Sequence, residues 1–211
     1  MGLPTIAPYP MPTSLPENRV QWTPDPDRAV LLVHDMQNHF LRAFAPGAQP
    51  LVDLVANIST LREACRRLGV PVVFSAQPGG QSPDQRGLQL DMWGRGIGPD
   101  PVDAEITADL RPGGSDRLMT KWRYNAFHRT ELETLMEGRD QLIVTGVYAH
   151  IGCLMTATDA FMRDIQAFLI ADAVADFSPE DHDMALRYAA TRCATTMMTT
   201  QVIDLLTRGP R

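Results

Sequence analysis

The sequence has few cysteines, no excess of basic charge and no long apolar run, and each shortage excludes a class of protein. Three cysteines in 211 residues, without regular spacing, do not describe a disulfide framework or a zinc site. The formal net charge of −6 and the scattered basic residues give no footprint for nucleic acid. No segment approaches the length of a membrane span, and the N-terminus lacks a signal core. We therefore expect a cytoplasmic protein with neither a membrane nor a nucleic-acid partner.

The histidines and glycines carry no cofactor signature. None of the five histidines, which are His34, His39, His128, His150 and His182, takes part in HExxH or a similar ligand spacing. The glycine-rich segment 94–98 looks like a phosphate-binding loop, but it does not join a strand to a helix as dinucleotide binding requires. We therefore expect no metal and no other cofactor.

What the sequence does contain is an alternation of apolar strands and amphipathic helices. Strands are predicted over residues 28–35, 70–77, 117–122, 141–148, 167–173 and 195–199. Helices are predicted over 51–68, 101–110 and 151–163 and at the C-terminus. Two more are predicted from a Thr130 cap to about 138 and from a Ser178 cap to about 193. One face of the helix 51–68 carries Leu54, Ile58, Leu61, Cys65 and Leu68. This order predicts an α/β fold: one three-layer domain with a six-stranded, mainly parallel, Rossmann-like sheet and helices on both faces.

Two regions fall outside this alternation. Residues 1–27 carry seven prolines and little periodicity, which predicts an extended N-terminal arm that lies over the domain or on a partner subunit. Residues 78–98, rich in Gly, Pro and Gln, form a loop too long for a simple connection, and long loops in compact domains are often functional.

The most informative segment is the apolar run from Ala29 to Val33, which is followed by Asp35. It is typical of a strand buried on both faces, and ligands bind at the carboxyl edge of such sheets. An aspartate there, beside Met36 and Phe40, can be held partly protonated and used as an acid. The alternative is an aspartate that caps the following turn, and this segment alone leaves both interpretations open.

Other strand ends also offer reactive groups, namely Gln77, Lys121 and the loop 148–152. The ends of parallel strands meet at one edge, so an acid and a lysine from separate strands can come together there. Lys121 is either part of such a site or a surface lysine, which is the commonest state of that residue. Gln77 and Arg86 flank the long loop and can hold a carboxylate, although a solvated loop cation is the alternative for Arg86.

Cys153 has two interpretations. At the start of a helix the dipole would lower the pKa of its thiol and make it a nucleophile, or it is a small buried helix residue. Cys65 and Cys193 lie on apolar helix faces and are expected to be structural.

Five ordered motifs together resemble the isochorismatase family. They are VHDMQ at 33–37, AQP at 76–78, MWG at 92–94, KWRY at 121–124 and GVYAHIG at 146–152. The similarity runs from the arm to about Leu206. It implies an isochorismatase-like, or cysteine-hydrolase, fold for a hydrolase domain over 28–211, and a homodimer or larger homo-oligomer.

The resemblance also implies residue roles. The wider family uses an Asp–Lys–Cys triad, and the position of its nucleophilic cysteine falls on Gly152, as in the isochorismatase branches, which form no covalent intermediate. Cys153 lies one residue after that position, and on a helix a shift of one residue turns the side chain by about 100°. The implied catalytic residues are Asp35 as the general acid, Lys121 as its orienting partner, and Gly152. The implied substrate-binding residues are Gln77, Arg86 and Tyr148, which hold oxygens with the Gly152 amide, and Phe40, Trp93 and Tyr124, which form apolar walls.

The implied reaction is the hydrolysis of a vinyl ether, which releases pyruvate from isochorismate or 2-amino-2-deoxyisochorismate. It would serve siderophore, phenazine or related secondary-metabolite biosynthesis. Two other interpretations stay open, a cysteine amidohydrolase of the nicotinamidase type that uses Cys153 and a non-catalytic binding or scaffold protein.

Overall fold

A six-stranded parallel sheet forms the centre of the protein, seen in a computed structural model that describes residues 2–209. The strands are β1 (Ala29–His34), β2 (Val72–Ala76), β3 (Arg117–Thr120), β4 (Gln141–Val147), β5 (Gln166–Ala175) and β6 (Ala194–Met197). Their order is β3-β2-β1-β4-β5-β6, and every neighbouring pair is parallel. This confirms the predicted fold class. The order reverses between β1 and β4, and at such a switch point a crevice opens beyond the carboxyl ends of the strands.

Helices cover both faces of the sheet. They are α1 (Asn38–Leu41), α2 (Leu51–Arg67), α3 (Pro83–Arg86), α4 (Gln89–Trp93), α5 (Pro101–Ala104), α6 (Leu132–Leu135), α7 (Leu154–Met162), α8 (Pro179–Arg192) and α9 (Thr199–Arg208). Helices α2 and α9 pack on one face, and α7 and α8 on the other. Among the described residues, no helix has both the length and the apolar character that crossing a bilayer demands.

The core is divided by the sheet because successive strand residues point to opposite faces. In β1, Leu31 and Val33 belong to the apolar cluster under α2 and α9, whereas Val30 and Leu32 belong to the cluster under α7 and α8. All six residues of β1 are buried. The strand therefore brings the residue that follows it, Asp35, to the middle of the carboxyl edge.

The two longest helices match their predictions. In α2 the residues Leu54, Ile58, Leu61 and Cys65 are buried on one face, as their spacing predicts. Helix α8 begins at Pro179, and the Ser178 hydroxyl caps it by accepting a hydrogen bond from the Asp181 amide at 3.0 Å.

Several predicted boundaries were wrong. The predicted loop 78–98 contains α3 and α4, and the predicted helix 101–110 is α5 followed by one 3₁₀ turn, Ala108–Leu110. The predicted helix 151–163 starts with a π-helical turn, Ala149–Cys153. The helix predicted to start at Thr130 is the single turn α6, with Glu131 at its N-cap; the Thr130 hydroxyl accepts from the Leu132 amide at 3.3 Å and donates to the Ala126 carbonyl.

The proline-rich arm packs on the domain of its own chain. The Ile6 amide donates to the Ala43 carbonyl at 2.7 Å, and Ile6 and Tyr9 are both buried in the core. The Tyr9 hydroxyl accepts a hydrogen bond from the Asp176 amide at 2.7 Å and lies 3.3 Å from His182 Nδ1. These contacts bring the start of the arm to the carboxyl edge of the sheet. The predicted reach of the arm onto a partner subunit stays a prediction.

Replacing Tyr9 by phenylalanine tests this anchor. Tyr9→Phe leaves the buried Asp176 amide without its acceptor, which is expected to lower the free energy of unfolding by about 1–2 kcal/mol in urea denaturation. The matched control is Tyr188→Phe, because that side chain is 46% exposed and its loss is expected to cost less than about 0.5 kcal/mol. Equal effects of the two substitutions would contradict the role of the Tyr9 hydroxyl.

Candidate active site

A cleft opens at the carboxyl edge of the sheet, where the strand order reverses. Its empty volume is about 820 Å³, part of which is open to solvent. The lining includes all nine residues predicted for the site, which are Asp35, Phe40, Gln77, Arg86, Trp93, Lys121, Tyr124, Tyr148 and Gly152. The ends of β1, β2 and β4, the loop after β3 and the helices α1, α3 and α4 supply them. Residues distant in the sequence thus meet in one place.

Asp35 directly follows β1 and turns its carboxylate to polar groups of the cleft. One oxygen accepts from the Ser75 hydroxyl at 2.6 Å, and the other accepts from Gln77 Nε2 and Lys121 Nζ, each at 2.9 Å. The residue is 3% exposed and its backbone adopts a left-handed φ of 49°. The carboxylate is therefore held by side chains from β2, the residue after β2 and the loop after β3, and not by the following turn.

Lys121 is a buried lysine and not a surface one. It is 1% exposed, and its ammonium group donates to Asp35 Oδ2, to the Arg123 carbonyl at 2.5 Å and to the Tyr124 carbonyl at 3.4 Å. An ammonium group has three hydrogens, so each of them has an acceptor. The position of the charge beside Asp35 is thus fixed from three sides.

The electrostatics of the pair favour its charged form at rest. Burial raises the pKa of Asp35, but the Lys121 ammonium group and the hydrogen bonds from Ser75 and Gln77 outweigh it and hold that pKa below its ordinary value. Burial lowers the pKa of the neighbouring His34 to about 4, so this imidazole is neutral near pH 7. The site therefore holds the Asp35 carboxylate in direct contact with the Lys121 ammonium group.

Arg86 is a second buried cation and not a solvated loop residue. It is 5% exposed, its Nε donates to the Gly94 carbonyl at 3.0 Å, and a Cβ on Gly96 would lie 2.7 Å from its Cζ. Gly96 has a φ of 71°, so a glycine suits this position on two counts. Within residues 2–209 no carboxylate oxygen lies within 4.0 Å of the guanidinium group. Burial lowers the pKa of Arg86 and leaves its charge unmatched.

Aromatic rings form one wall of the cleft. The rings of Tyr148 and Phe177 lie 4.4 Å apart between centroids, and Trp93 lies 5.9 Å from Phe177. Trp93 Nε1 also donates to the Tyr124 hydroxyl at 2.5 Å. The Tyr148 hydroxyl donates to the Phe40 carbonyl at 2.8 Å, so its hydrogen is engaged within the chain. The role of Tyr148 in holding a substrate oxygen stays a prediction, and in this structure its ring joins the aromatic wall.

Sequence analysis missed several residues of the cleft. They are Leu3, His34, Ser75, Gln89 and Phe177, of which Ser75 contacts Asp35 and the others line the cleft. Phe177 was missed because β5 runs to Ala175, two residues beyond its predicted end, and the residues after a strand end are those that reach the edge. Ser75 could have been found from its position two residues before Gln77, because side chains two residues apart along a strand point to the same face.

The cysteines take no part in the cleft. Cys153 is fully buried behind it, with its Sγ atom 3.9 Å from the Thr145 carbonyl, and burial raises the pKa of its thiol well above the ordinary value. Cys65 and Cys193 are buried free thiols. The thiolate that a nucleophile needs is thus disfavoured at Cys153.

One group of metal-type ligands lies beside the cleft, formed by His150, Asp176 and Asp181. Its ligand atoms already have partners within the chain. His150 Nδ1 and the His150 amide contact the two Asp176 oxygens at 2.6 Å each, and Asp181 accepts from the Ser178 hydroxyl. The arrangement is that of a hydrogen-bonded support for the loop after β4.

Comparisons with known proteins agree with this geometry. The family model described as Isochorismatase domain matches residues 29–201. A protein named isochorismatase from Bacillus subtilis is 56% identical over 214 residues, covering 100% of this chain and 69% of that protein. The phenazine biosynthesis protein PhzD1 of Pseudomonas aeruginosa is 49% identical over 207 residues, covering 96% of this chain and 99% of that protein. A crystal structure of a cysteine hydrolase from Pseudomonas syringae superposes with a TM-score of 0.81 at 24% identity, over 93% of this chain and 99% of that one, which shows a shared fold.

Proposed function

Since this chain belongs to the isochorismatase family and is a hydrolase, we propose that it releases pyruvate from isochorismate or 2-amino-2-deoxyisochorismate by protonating the enolpyruvyl vinyl ether. The ring products are 2,3-dihydro-2,3-dihydroxybenzoate and trans-2,3-dihydro-3-hydroxyanthranilate, respectively. The observation that carries this proposal is the buried contact of 2.9 Å between Asp35 and Lys121, in a cleft without a reactive thiol.

The charges of the cleft suit a substrate that carries a carboxylate. Lys121 and Arg86 both line the cleft, and the guanidinium group of Arg86 is the one left without a carboxylate. A ligand carboxylate on Arg86 would form charge-assisted, bidentate hydrogen bonds and replace the lost hydration of that cation. The Gln77 amide oxygen accepts from Arg86 at 3.4 Å and its Nε2 donates to Asp35 at 2.9 Å, so Gln77 links the cation that would bind the carboxylate to the proposed acid.

The reaction follows from the chemistry of a vinyl ether. Its terminal carbon accepts a proton from the Asp35 carboxyl group, and the electron pair of the carbon–carbon double bond forms the new C–H bond. The resulting oxocarbenium ion is attacked by water, which returns a proton to Asp35. The hemiketal then breaks its bond to the ring oxygen and yields pyruvate and a ring alcohol. General acid catalysis of this kind contributes roughly 10²–10⁴-fold.

Lys121 supplies the proton that Asp35 lacks at rest. When a ligand displaces water from the cleft, desolvation disfavours the ion pair and favours neutral carboxyl and amine groups. The proton moves along the 2.9 Å contact from Nζ to Oδ2. The pair therefore acts as one acid.

The remaining candidate residues bind the substrate and keep water out of the cleft. Phe40, Trp93, Tyr124 and Tyr148 form apolar walls around the ring, and the Gly152 amide receives a substrate oxygen near the helical turn after β4. Gly152 has no side chain that can attack, and the Cys153 thiol is buried. No covalent intermediate is formed.

The direct test is release of pyruvate, coupled to lactate dehydrogenase, from each of the two substrates. We expect turnover of at least one of them, and the ratio of kcat/KM identifies the ring substituent that the site prefers. Absence of pyruvate with both substrates would contradict the proposed function and favour a binding or scaffold protein.

The same assay after treatment with iodoacetamide separates this mechanism from that of a cysteine amidohydrolase. Because the three thiols are buried, activity is expected to stay within about 2-fold of the untreated enzyme. Loss of activity together with alkylation of Cys153 would contradict the acid mechanism.

Phenazine biosynthesis is one pathway in which this activity fits, because the relative PhzD1 carries that name. A role in siderophore or other secondary-metabolite biosynthesis, a cytoplasmic location and a homodimer or larger homo-oligomer stay predictions. A proline-rich arm over residues 1–27 that precedes a hydrolase domain over 28–211 is the domain organisation that we propose.

A further inference from the structure

His34, the last residue of β1, is enclosed by two glycines at the base of the cleft. A Cβ on Gly152 would overlap the imidazole ring of His34, and a Cβ on Gly146 would overlap its backbone carbonyl. Neither clash could be relieved cheaply, because the ring is 1% exposed and the backbone belongs to the central strand. The imidazole thus occupies the space into which a side chain at position 152 would point.

Both ring nitrogens of His34 also contact backbone carbonyls from other segments. Nδ1 lies 2.9 Å from the Val147 carbonyl at the end of β4, and Nε2 lies 3.2 Å from the Tyr124 carbonyl. The Tyr124 carbonyl is also an acceptor for Lys121 Nζ. A neutral imidazole carries one N–H, so it donates to one of these carbonyls and packs against the other, and the ring lies between the end of β4 and the loop that carries Lys121.

We propose that His34 is a positioning and specificity-determining residue, whose imidazole fills the space of a side chain at 152 and fixes the Lys121–Tyr124 loop. This inference rests on the proposed function. The ring of His34 gives a physical reason for the absence of a nucleophile at position 152. The floor of the cleft can hold either the ring of His34 or a reactive side chain on the turn after β4, and this chain holds the ring.

A double-mutant cycle with alanine tests the shared space. Gly152→Ala is expected to lower kcat/KM by about 100-fold, since the new methyl group displaces the ring and with it the loop of Lys121. His34→Ala is expected to lower kcat by about 10-fold with KM within about 2-fold, because Arg86 and Gln77 are untouched. In the double variant the methyl group has room, so kcat/KM is expected to recover about 10-fold relative to Gly152→Ala.

The matched control is Gly113→Ala, at an exposed glycine whose added Cβ would meet no atom within 4 Å. We expect Gly113→Ala to leave activity unchanged and to combine additively with His34→Ala. If the effects of His34→Ala and Gly152→Ala are also additive, the two positions do not share space and the proposal is overturned. A His34→Ala variant whose loss lies in KM alone would overturn the positioning role.

A second measurement does not depend on activity. Burial raises the pKa of all three native thiols, so an engineered thiol can be followed against a silent background by iodoacetamide labelling and mass spectrometry. In the folded protein, we expect Gly152→Cys with His34→Ala to be alkylated at least about 10-fold faster than Gly152→Cys alone, where the ring competes for the same space.

Equal labelling rates in the two folded variants would overturn the proposal. This outcome is distinct from a failure of the proposed function, which would appear as absence of pyruvate release by the unsubstituted enzyme. Circular dichroism of each variant before labelling excludes trivial exposure by unfolding. If Gly152→Cys does not fold and the double variant does, the clash with His34 is itself demonstrated.

Discussion

Asp35→Asn is expected to lower kcat for pyruvate release by about 10³-fold or more, with KM changed by less than about 3-fold. The amide keeps the size of the carboxylate and can still contact Ser75 and Gln77, but it has no acidic proton for the vinyl carbon. Arg86 remains in place to bind substrate. The measurement is steady-state pyruvate release at saturating substrate, compared with the unsubstituted enzyme.

The control for charge is Asp91→Asn, at an exposed carboxylate on α4, which should leave activity unchanged. A control for folding is also needed, because Asp35→Asn leaves the ammonium group of Lys121 buried without a counter-charge. The double variant Asp35→Asn/Lys121→Met removes that charge and is expected to be as inactive as the single variant. Recovery of activity in the double variant, or retention of more than a tenth of it in Asp35→Asn, would contradict the assignment of the acid.

The fold and the centre of the site were predictable because they follow from local patterns. The apolar run of β1 identifies a buried strand, and the order of strands and helices identifies a parallel sheet. In such a sheet the residues after the strands share one edge, so Asp35, Gln77 and Lys121 could be placed together before any coordinates were known. The two contacts of Asp35, with Gln77 and with Lys121, therefore follow from the topology of the sheet.

The remaining features depend on tertiary contacts that no local pattern records. Arg86 is buried because the segment from Gly94 to Gly96 folds over it, and the sequence alone left Arg86 open between a carboxylate-binding residue and a solvated loop cation. The Tyr148 hydroxyl is engaged by a carbonyl 108 residues away in the sequence. The resting charge of Asp35 results from opposing effects of burial and Lys121, whose balance only distances can decide.

Arg86→Met is expected to raise KM for the substrate by about 100-fold with a smaller change in kcat, because it removes charge-assisted hydrogen bonds to a ligand carboxylate. Methionine keeps an unbranched apolar chain that suits the space below the segment from Gly94 to Gly96. Arg86→Lys is expected to recover only part of the loss, since an ammonium group cannot form the bidentate pair. Substrate saturation curves of the three proteins measure these effects.

Arg86→Met is expected to weaken substrate binding without lowering stability. This contrast separates a binding role of Arg86 from a structural one. The guanidinium group is buried without a carboxylate from the described part of the chain, so Arg86→Met removes a desolvated charge and, in the absence of substrate, is expected to leave the free energy of unfolding unchanged or to raise it by up to about 1 kcal/mol. Arg117→Met, at an exposed arginine on β3, removes the same net charge and should alter neither KM nor stability. A variant at Arg86 that unfolds more easily and binds substrate normally would show that the guanidinium group supports the fold, and the match between this cleft and a substrate carboxylate would lose its main support.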